Sequence, residues 1–166
     1  MVLARRSSGS GLLGDHLLEI GAGYGAATPH LRKCVSRVTS LEYDARMIRK
    51  LKNNSAAGEA LRGDGARLPF ASETFSCAIA ILVVHHLQSP ELQDRMFAEV
   101  FRVLRPSGVF LAFEIPDTWI NRAAHFRSTF TPITPGSAFV RLNAVGFDRV
   151  SVDFRRAGFR VCALRP

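Results

Sequence analysis

Short apolar runs alternate along the chain with stretches whose apolar residues recur at helical spacing. Residues 17–20 and 75–84 are nearly continuous apolar runs, which is typical of parallel strands buried on both faces. The clearest helix is predicted at 90–104, because Ser89 is a suitable N-cap and Pro90 is tolerated in a first turn. This alternation predicts a doubly wound α/β fold, with helices on both faces of a mostly parallel sheet and a ligand site at the carboxyl ends of the strands.

The same patterns predict the remaining elements. Further strands are expected at 37–43, 60–63 and 109–114, and further helices at 26–34, after the cap residue Asp44, and at 138–145. Two last strands are predicted at 147–154 and 158–163. The link between them is so short that they must be antiparallel.

Two segments depart from the alternating pattern. Residues 1–14 are rich in Gly, Ser and Arg, so we predict a mobile N-terminal segment ahead of a single domain at 15–166. Residues 115–137 hold three prolines and the single tryptophan, Trp119. A long segment of this kind inside a compact α/β domain is commonly a lid or a specificity element, and we predict that role for it.

Composition and charge narrow the class of protein. An apolar content of 47% over 166 residues indicates a globular domain, and no apolar run approaches the roughly 20 residues of a membrane span. Cys34, Cys77 and Cys162 lie far apart without a C-x-x-C pair, which predicts free thiols, no bound metal and a cytoplasmic location. The net charge of +8 comes from arginines scattered along the chain, which favours ordinary surface charge over a nucleic-acid site.

The candidate chemistry centres on residues 17–25, which read LLEIGAGYG. Three glycines at alternate positions after an apolar strand predict a tight turn into a helix, where a ligand can approach the backbone and the helix N-terminus. A dinucleotide fingerprint can be placed on Gly21, Gly23 and Ala26, with Glu42 on the ribose. However, Glu19 lies inside the end of the strand, where it would repel a pyrophosphate but suit an ammonium and a sulfonium. This favours S-adenosylmethionine over NAD.

Four further motifs follow LLEIGAGYG along the chain: LEYD, GDGARLPF, FSCAIAILVVHHL and EVFRVLRPSGVFLAFE. With these five motifs in this order, the chain resembles a class I S-adenosylmethionine-dependent methyltransferase of the type 11, ubiquinone/menaquinone-methyltransferase-like, branch. The resemblance covers residues 17–108 closely and the terminal hairpin in outline. The resemblance implies a Rossmann-like, seven-stranded sheet of order 3-2-1-4-5-7-6, in which strand 7 is antiparallel.

The resemblance also implies roles for individual residues. Glu19 is expected near the methionine ammonium, Glu42 at both ribose hydroxyls and Asp64 at the adenine amino group, with the Gly65 N–H facing a ring nitrogen. The backbone of Leu82 is expected to contact the methionine part. The complete predicted cofactor set is Glu19, Gly21, Ala22, Gly23, Glu42, Tyr43, Gly63, Asp64, Gly65 and Leu82.

The expected reaction is displacement at the sulfonium methyl, which leaves S-adenosylhomocysteine and requires mainly alignment of donor and acceptor. A base is needed only for a hydroxyl or a weakly acidic carbon, and His85 and His86 are the candidates. The alternative is that one of them is packed or hydrogen-bonded and fixes the loop. The residues predicted to form an aromatic wall for the acceptor are Tyr24, Trp119, Phe126 and Phe130. Alternatively, the three rings in residues 115–137 anchor that segment to the core.

A small organic acceptor is the expected partner, because the chain lacks [DNS]-P-P-[FYW] after the fourth strand and a Pro-Cys pair, two marks of enzymes that methylate bases. Few residues precede the first motif, so a homodimer or a partner subunit is an alternative source of the cover over the cofactor. Other hypotheses are a cofactor-binding module that methylates nothing, an RNA methyltransferase and, last, an NAD oxidoreductase.

Overall fold

A computed structural model describes residues 13–53, 58–126 and 128–166, so nearly all of the predicted mobile segment 1–14 lies outside the described residues. The strands are β1 His16–Ile20, β2 Arg37–Glu42, β3 Glu59–Arg62, β4 Phe75–Ile81, β5 Leu104–Glu114, β6 Asp148–Arg155 and β7 Gly158–Leu164. The helices are α1 Thr28–Leu31, α2 Ala45–Lys52, α3 Pro90–Val103, α4 Trp119–Ala124 and α5 Pro135–Val145.

The seven strands in the described ranges form one sheet of order β3-β2-β1-β4-β5-β7-β6. Strands β1 to β5 pair in parallel, and β7 is antiparallel to both of its neighbours. This confirms the expected fold class and strand order. Strands β1 and β4 lie side by side at the centre, and the chain adds β2 and β3 on one side of them and β5 on the other. Doubly wound folds bind ligands in the crevice at such a switch point, which the carboxyl ends of β1 and β4 flank here.

The centre of the sheet is buried on both faces. All five residues of β1 are buried, and its pleat sends Leu18 and Ile20 into the larger core cluster while Leu17 packs into a second cluster on the other face. On the larger side, α3 lays Met96, Phe97 and other apolar residues against the sheet. Such burial of the central strands holds their carboxyl ends rigidly, and the site loops begin there.

Three helices differ from their predicted limits. Helix α1 is a single turn, Thr28–Leu31, rather than 26–34, and turns continue the chain to β2. Helix α5 begins at Pro135 rather than at residue 138, because the Thr134 side chain accepts from the Ser137 N–H and caps it. Helix α4 lies inside the predicted irregular segment 115–137, where Thr118 caps it through the Asn121 N–H.

Two strand limits also differ, for backbone reasons. Strand β4 ends at Ile81 instead of residue 84, because Leu82 adopts a left-handed φ of 59° and a short 3-10 turn follows at Val84–His86. Strand β5 begins at Leu104 instead of residue 109, since Leu104 already pairs with Phe75 before a shift in register.

None of the helices in the described ranges combines the length and the hydropathy needed to cross a membrane.

The caps predicted for α2 and α3 are confirmed. The Asp44 carboxylate accepts from the N–H groups of Arg46 and Met47, and the Ser89 hydroxyl accepts from that of Leu92.

Candidate functional site

A cavity of about 500 Å³ lies at the carboxyl ends of β1 to β4. This volume falls within the range of small-molecule sites. The loops after all four strands contribute to its wall, with Gly21, Gly23, Glu42, Tyr43, Gly63, Asp64, Gly65, Val83 and His86 among the lining residues. Seven of the ten residues predicted for the cofactor therefore share one cavity; Glu19, Ala22 and Leu82 do not line it.

The glycines after β1 have two different reasons to be glycine. Gly21 has a φ of 68°, and a Cβ there would lie 2.4 Å from a methyl carbon of Val83, so this glycine lets the turn pack against the loop after β4. Gly23 has a φ of 58°, but a Cβ there would meet no atom within 4 Å. Packing within the chain does not restrict Gly23, which leaves room for a ligand to lie against its backbone.

Glu42, at the end of β2, is the most firmly placed acid on the cavity wall. It is buried, and its Oε2 accepts from the Gly23 N–H at 2.7 Å while its Oε1 accepts from the Asp44 N–H at 2.8 Å. Each carboxylate oxygen has a further lone pair after accepting one bond. The pair of oxygens can therefore accept two more donors from a ligand, such as the hydroxyls of a vicinal diol.

The loop after β3 brings a second acid to the cavity. Asp64 is exposed, and its Oδ1 accepts from the Ala66 N–H at 2.9 Å, which fixes the tight turn. A Cβ on Gly63 would lie 2.6 Å from a methyl carbon of Leu41, so this glycine lets the loop after β3 lie close to β2. Asp64 and the Gly65 backbone thus lie on the wall shared with Glu42, as expected for contacts to one ligand.

Glu19 is placed differently from the expectation. It is buried, and its Oε2 accepts from the hydroxyls of Thr28 and Ser40, both at 2.7 Å. Burial raises the pKa of Glu19 above its ordinary value, and these two hydrogen bonds oppose the rise. The two hydrogen bonds thus offset only part of the cost of burying this acid, and its contact with a ligand ammonium stays a prediction.

Leu82 and Ala22 also lie off the cavity wall. The Leu82 N–H donates to the Phe113 carbonyl at 2.8 Å, so the left-handed turn after β4 is tied to β5. The next residue, Val83, lines the cavity instead. Ala22 is buried beside Ile48 and Leu51 of α2 and packs the turn against that helix.

His85 is a structural residue of the loop after β4 rather than part of the cavity wall. It is 2% exposed, and its Nδ1 lies 2.5 Å from Oε2 of the equally buried Glu114 at the end of β5. Oε1 of Glu114 accepts from the N–H groups of Val83 and Val84. This geometry supports the alternative in which one of the two histidines fixes the loop.

His86 is the histidine that reaches the cavity. Its Nδ1 lies 3.2 Å from the Thr129 carbonyl oxygen, and because a carbonyl only accepts, Nδ1 carries the proton and Nε2 keeps its lone pair. Although His86 is exposed overall, partial desolvation of its imidazole ring, together with the neighbouring His85, lowers the pKa of His86 below its ordinary value. A neutral imidazole with a free Nε2 is the form that a general base requires.

The structure does not bring the four predicted aromatic residues to this cavity, so their role as an acceptor wall stays a prediction. Tyr24, Trp119 and Phe126 are exposed by 57%, 78% and 88%, and none of the four predicted aromatic residues lines the cavity. Phe130 instead packs on the imidazole rings of His125 and His85, with centroids 4.6 and 5.4 Å apart. This placement agrees with the anchoring alternative for Phe130.

Several residues at or beside the cavity lie outside the predicted set, among them Val83, Glu114 and His125. Val83 follows the left-handed turn, Glu114 supports the loop from the neighbouring strand, and His125 ends α4. The acid at the end of a predicted strand was a usable signal for Glu114, because strand ends meet at one edge of a parallel sheet. Nothing in the spacing indicated His125, which reaches the loop after β4 only through the course of residues 115–125.

The family described as "Methyltransferase domain" matches residues 18–112, which is more than half of the chain. The chain belongs to this methyltransferase family. The matched region includes the glycine turn, the cavity-wall acids Glu42 and Asp64, and the loop after β4. A relative with sequence similarity is 24-methylenesterol C-methyltransferase 2 of Oryza sativa subsp. japonica, 34% identical over 119 residues, which cover 66% of this chain and 31% of that protein. The methyltransferase chain thus spans about a third of the length of this curated relative.

Solved structures show the same fold at low sequence identity. A structure of Haemonchus contortus phosphoethanolamine N-methyltransferase 2 with S-adenosyl-L-methionine has a TM-score of 0.77 and 13% identity, covering 93% of this chain and 49% of that chain. A complex that contains the Haloferax volcanii Trm112 methyltransferase activator matches with a TM-score of 0.78 and 15% identity, covering 93% and 83%.

Proposed function

We propose that this methyltransferase-family chain binds S-adenosylmethionine in the cavity and transfers its methyl group to a small organic acceptor, leaving S-adenosylhomocysteine. The observation that carries the proposal is the buried Glu42 carboxylate, held at the cavity wall by the N–H groups of Gly23 and Asp44. Family membership supports the class of cofactor.

The residues present fit this cofactor. The two oxygens of Glu42 would accept from the ribose hydroxyls, Asp64 would accept from the adenine amino group, and the Gly65 N–H would face a ring nitrogen. The open space at Gly23 would admit the methionine part against the backbone. Together these contacts would hold the nucleoside across the cavity in one orientation.

When bound, the cofactor supplies an electrophilic methyl group on a sulfonium. The chain's own contribution is to align the acceptor with that methyl and to exclude water from the space between them. Where the acceptor is a hydroxyl or an acidic carbon, Nε2 of His86 would take its proton, and the Thr129 carbonyl would hold the imidazolium through Nδ1.

Apolar side chains favour an acceptor with an apolar portion. Val83, Leu87 and Leu92 contribute to the wall near His86. The name of the rice relative refers to a sterol and that of the nematode structure to phosphoethanolamine, both small organic molecules. We therefore place this chain's acceptor in the broad class of small organic molecules, outside nucleic acids.

The decisive test is cofactor binding to the Glu42→Gln variant, measured by titration calorimetry. In this variant the side-chain NH₂ would face the N–H of Gly23 or Asp44, donor against donor, and one ribose hydroxyl would lose its charged acceptor. We therefore expect cofactor affinity to fall roughly 10- to 100-fold. Asp153→Asn, an exposed substitution on β6, is the control and should leave affinity unchanged.

Unchanged affinity in Glu42→Gln would refute the assigned cofactor site. Cofactor binding without transfer of labelled methyl to any small-molecule fraction would favour a second candidate, a cofactor-binding module that needs a partner subunit or a second copy of the chain. The structural neighbour that contains a methyltransferase activator is the observation behind this candidate.

A further inference from the structure

Three histidines from two distant parts of the sequence come together beside the cavity. His85 and His86 belong to the turn after β4, and His125 follows α4. One ring nitrogen from each lies within 4.8 Å of those of the other two. The ring centroids are 4.2, 5.1 and 5.4 Å apart, so the three imidazoles form one cluster.

Each of the three rings has its Nδ1 occupied by an oxygen outside the cluster. Nδ1 of His85 pairs with the Glu114 carboxylate at 2.5 Å, that of His86 with the Thr129 carbonyl at 3.2 Å, and that of His125 with the Asn121 carbonyl at 2.7 Å. These oxygens are acceptors, so each Nδ1 carries the proton and each Nε2 keeps a lone pair.

This arrangement is the one that metal-binding histidines have in proteins, where the nitrogen that does not bind the metal donates to a carboxylate or a backbone carbonyl. We propose that His85, His86 and His125 bind one divalent transition-metal ion, with Zn²⁺ the best match, through their Nε2 atoms. Imidazole nitrogen is a preferred ligand of this ion, and three histidines leave a fourth position for water or a substrate atom.

Charge and distance are both compatible with the ion. Glu114 is the buried acid at the cluster, and it lowers the cost of placing a divalent cation beside the buried His85. Tetrahedral Zn–N bonds of about 2.0–2.1 Å place ligand nitrogens about 3.4 Å apart. Ring nitrogens that lie within 4.8 Å of one another must therefore approach by up to about 1.4 Å, and His86, which is exposed, and His125, which is half-buried, have room to move.

Aromatic packing alone explains less of the arrangement. The Phe130 ring stacks on His125 at 4.6 Å and 25°, which any aromatic side chain at position 125 would allow. Packing does not require that every Nδ1 meet an acceptor and that all three Nε2 atoms stay available. The two roles of His86 exclude each other, because an Nε2 bound to a metal cannot accept a proton from the acceptor. The base role proposed above therefore belongs to the metal-free chain.

The test uses the chain without a histidine tag, stripped of metal by chelation and titrated with Zn²⁺ by calorimetry in the absence of cofactor. We expect one ion per chain. His125→Phe keeps a ring to stack on Phe130 but removes the metal ligand. Loss of the hydrogen-bond partner behind a ligand costs roughly 10- to 100-fold in metal affinity, and loss of the ligand itself should weaken Zn²⁺ binding by more than that. His86→Gln should do the same, and Glu114→Gln should cost roughly 10- to 100-fold.

The matched control is His30→Gln, which removes a histidine outside the cluster whose carbonyl accepts from the exposed Cys34 thiol. It should leave Zn²⁺ affinity unchanged. Circular dichroism establishes that each variant is folded, and Co²⁺ absorption bands that His125→Phe abolishes give a second readout. No stoichiometric binding, equal binding by wild type and His125→Phe, or loss of binding in His30→Gln would each overturn the proposal. Because no cofactor is present, these outcomes are independent of whether S-adenosylmethionine binds.

Discussion

Single residues show which parts of the site follow from local sequence. Gly21, Gly23 and Glu42 lie at one cavity, and each belongs to a short motif at the end of a strand, while their cofactor roles stay predictions. Glu19 belongs to the same motif, yet its carboxylate is held by Thr28 and Ser40. Those two partners come from different elements, so only the folded chain reveals them.

Substitution of the two glycines by alanine separates packing from ligand access. Gly23→Ala should cost about 1–2 kcal/mol, the usual cost of a left-handed residue with a Cβ. Gly21→Ala should cost roughly 1–3 kcal/mol more, because its Cβ would overlap the stiff side chain of Val83. Urea unfolding measures the two costs. Although Gly23→Ala is the less destabilised variant, calorimetry should show that it loses cofactor affinity. Equal stability of the two variants would contradict this account.

Glu19→Gln tests the cost of a buried acid through its pH dependence. The folded pKa of Glu19 lies above its ordinary value of 4.5. At a pH between the unfolded and the folded pKa, the folded state binds more protons than the unfolded state. The contribution of Glu19 to the stability of the wild type is therefore highest below pH 4.5 and falls as the pH rises through the folded pKa. The amide can still accept from both hydroxyls, so the variant should equal or exceed wild type at pH 7 and lose this advantage at acidic pH.

Urea unfolding of wild type and Glu19→Gln across that pH range makes the comparison, with cofactor affinity measured at pH 7. Lower stability of the variant at pH 7 would mean that the carboxylate is stabilised by a contact beyond Thr28 and Ser40. A loss of affinity in a stable variant would support the predicted contact with the methionine ammonium.

At the scale of elements, sequence patterns located most strands and helices but missed some of their ends. Helix α5 begins at Pro135, and the pair Thr134-Pro135 is itself a capping signal followed by a first-turn proline. The irregular composition of residues 115–137 hid that signal, and it also hid α4. The register shift at the start of β5 depends on pairing with Phe75, which local pattern does not contain.

Gln93 is the side chain through which α3 organises the elements around the loop after β4. It is buried, and its Nε2 donates to the carbonyls of Val84 and Thr131 while its Oε1 accepts from Arg141 of α5. Gln93→Leu should cost roughly 1–3 kcal/mol, because a buried carbonyl, a partly buried carbonyl and a guanidinium each lose a partner. We also expect faster amide exchange at residues 128–134, which Thr131 ties to α3.

Hydrogen exchange with mass spectrometry and urea unfolding test both effects. Gln88→Ala is the control, since Gln88 is exposed and surface substitutions usually change stability by less than about 0.5 kcal/mol. Unchanged exchange at 128–134 in Gln93→Leu would show that this segment is held by other contacts, such as that between the Thr131 N–H and the His85 carbonyl.

At the scale of the whole molecule, the strand order could be expected only through the resemblance. Alternating strands and helices predict a doubly wound sheet, but many strand orders satisfy that pattern. The cavity then follows from topology, because four strand ends carry their motifs to one edge. The histidine cluster does not follow, since His125 meets His85 only after the chain has passed through an irregular segment.

The distribution of charge over the whole molecule yields the last prediction. The net charge is +8, but many arginines are already engaged with acids at separate places on the surface. In the part of the chain that the structure describes, the arginines with an acidic partner within 4 Å include Arg37, Arg102, Arg105, Arg122, Arg141, Arg149, Arg155, Arg160 and Arg165. Scattered and paired cations make a poor track for a phosphate backbone. We therefore expect only non-specific RNA binding, with a Kd no tighter than about 1 μM near physiological salt.

Fluorescence anisotropy with a labelled single-stranded RNA at two salt concentrations makes this measurement. Weak binding that ignores RNA sequence would leave a small organic molecule as the acceptor class and direct the search for it towards the cavity wall beside His86. Tight binding with preference for one RNA sequence would contradict the prediction and favour the RNA methyltransferase hypothesis. In that case the paired arginines would have to exchange their carboxylate partners for phosphates, and substitution of the acidic partners would then strengthen binding.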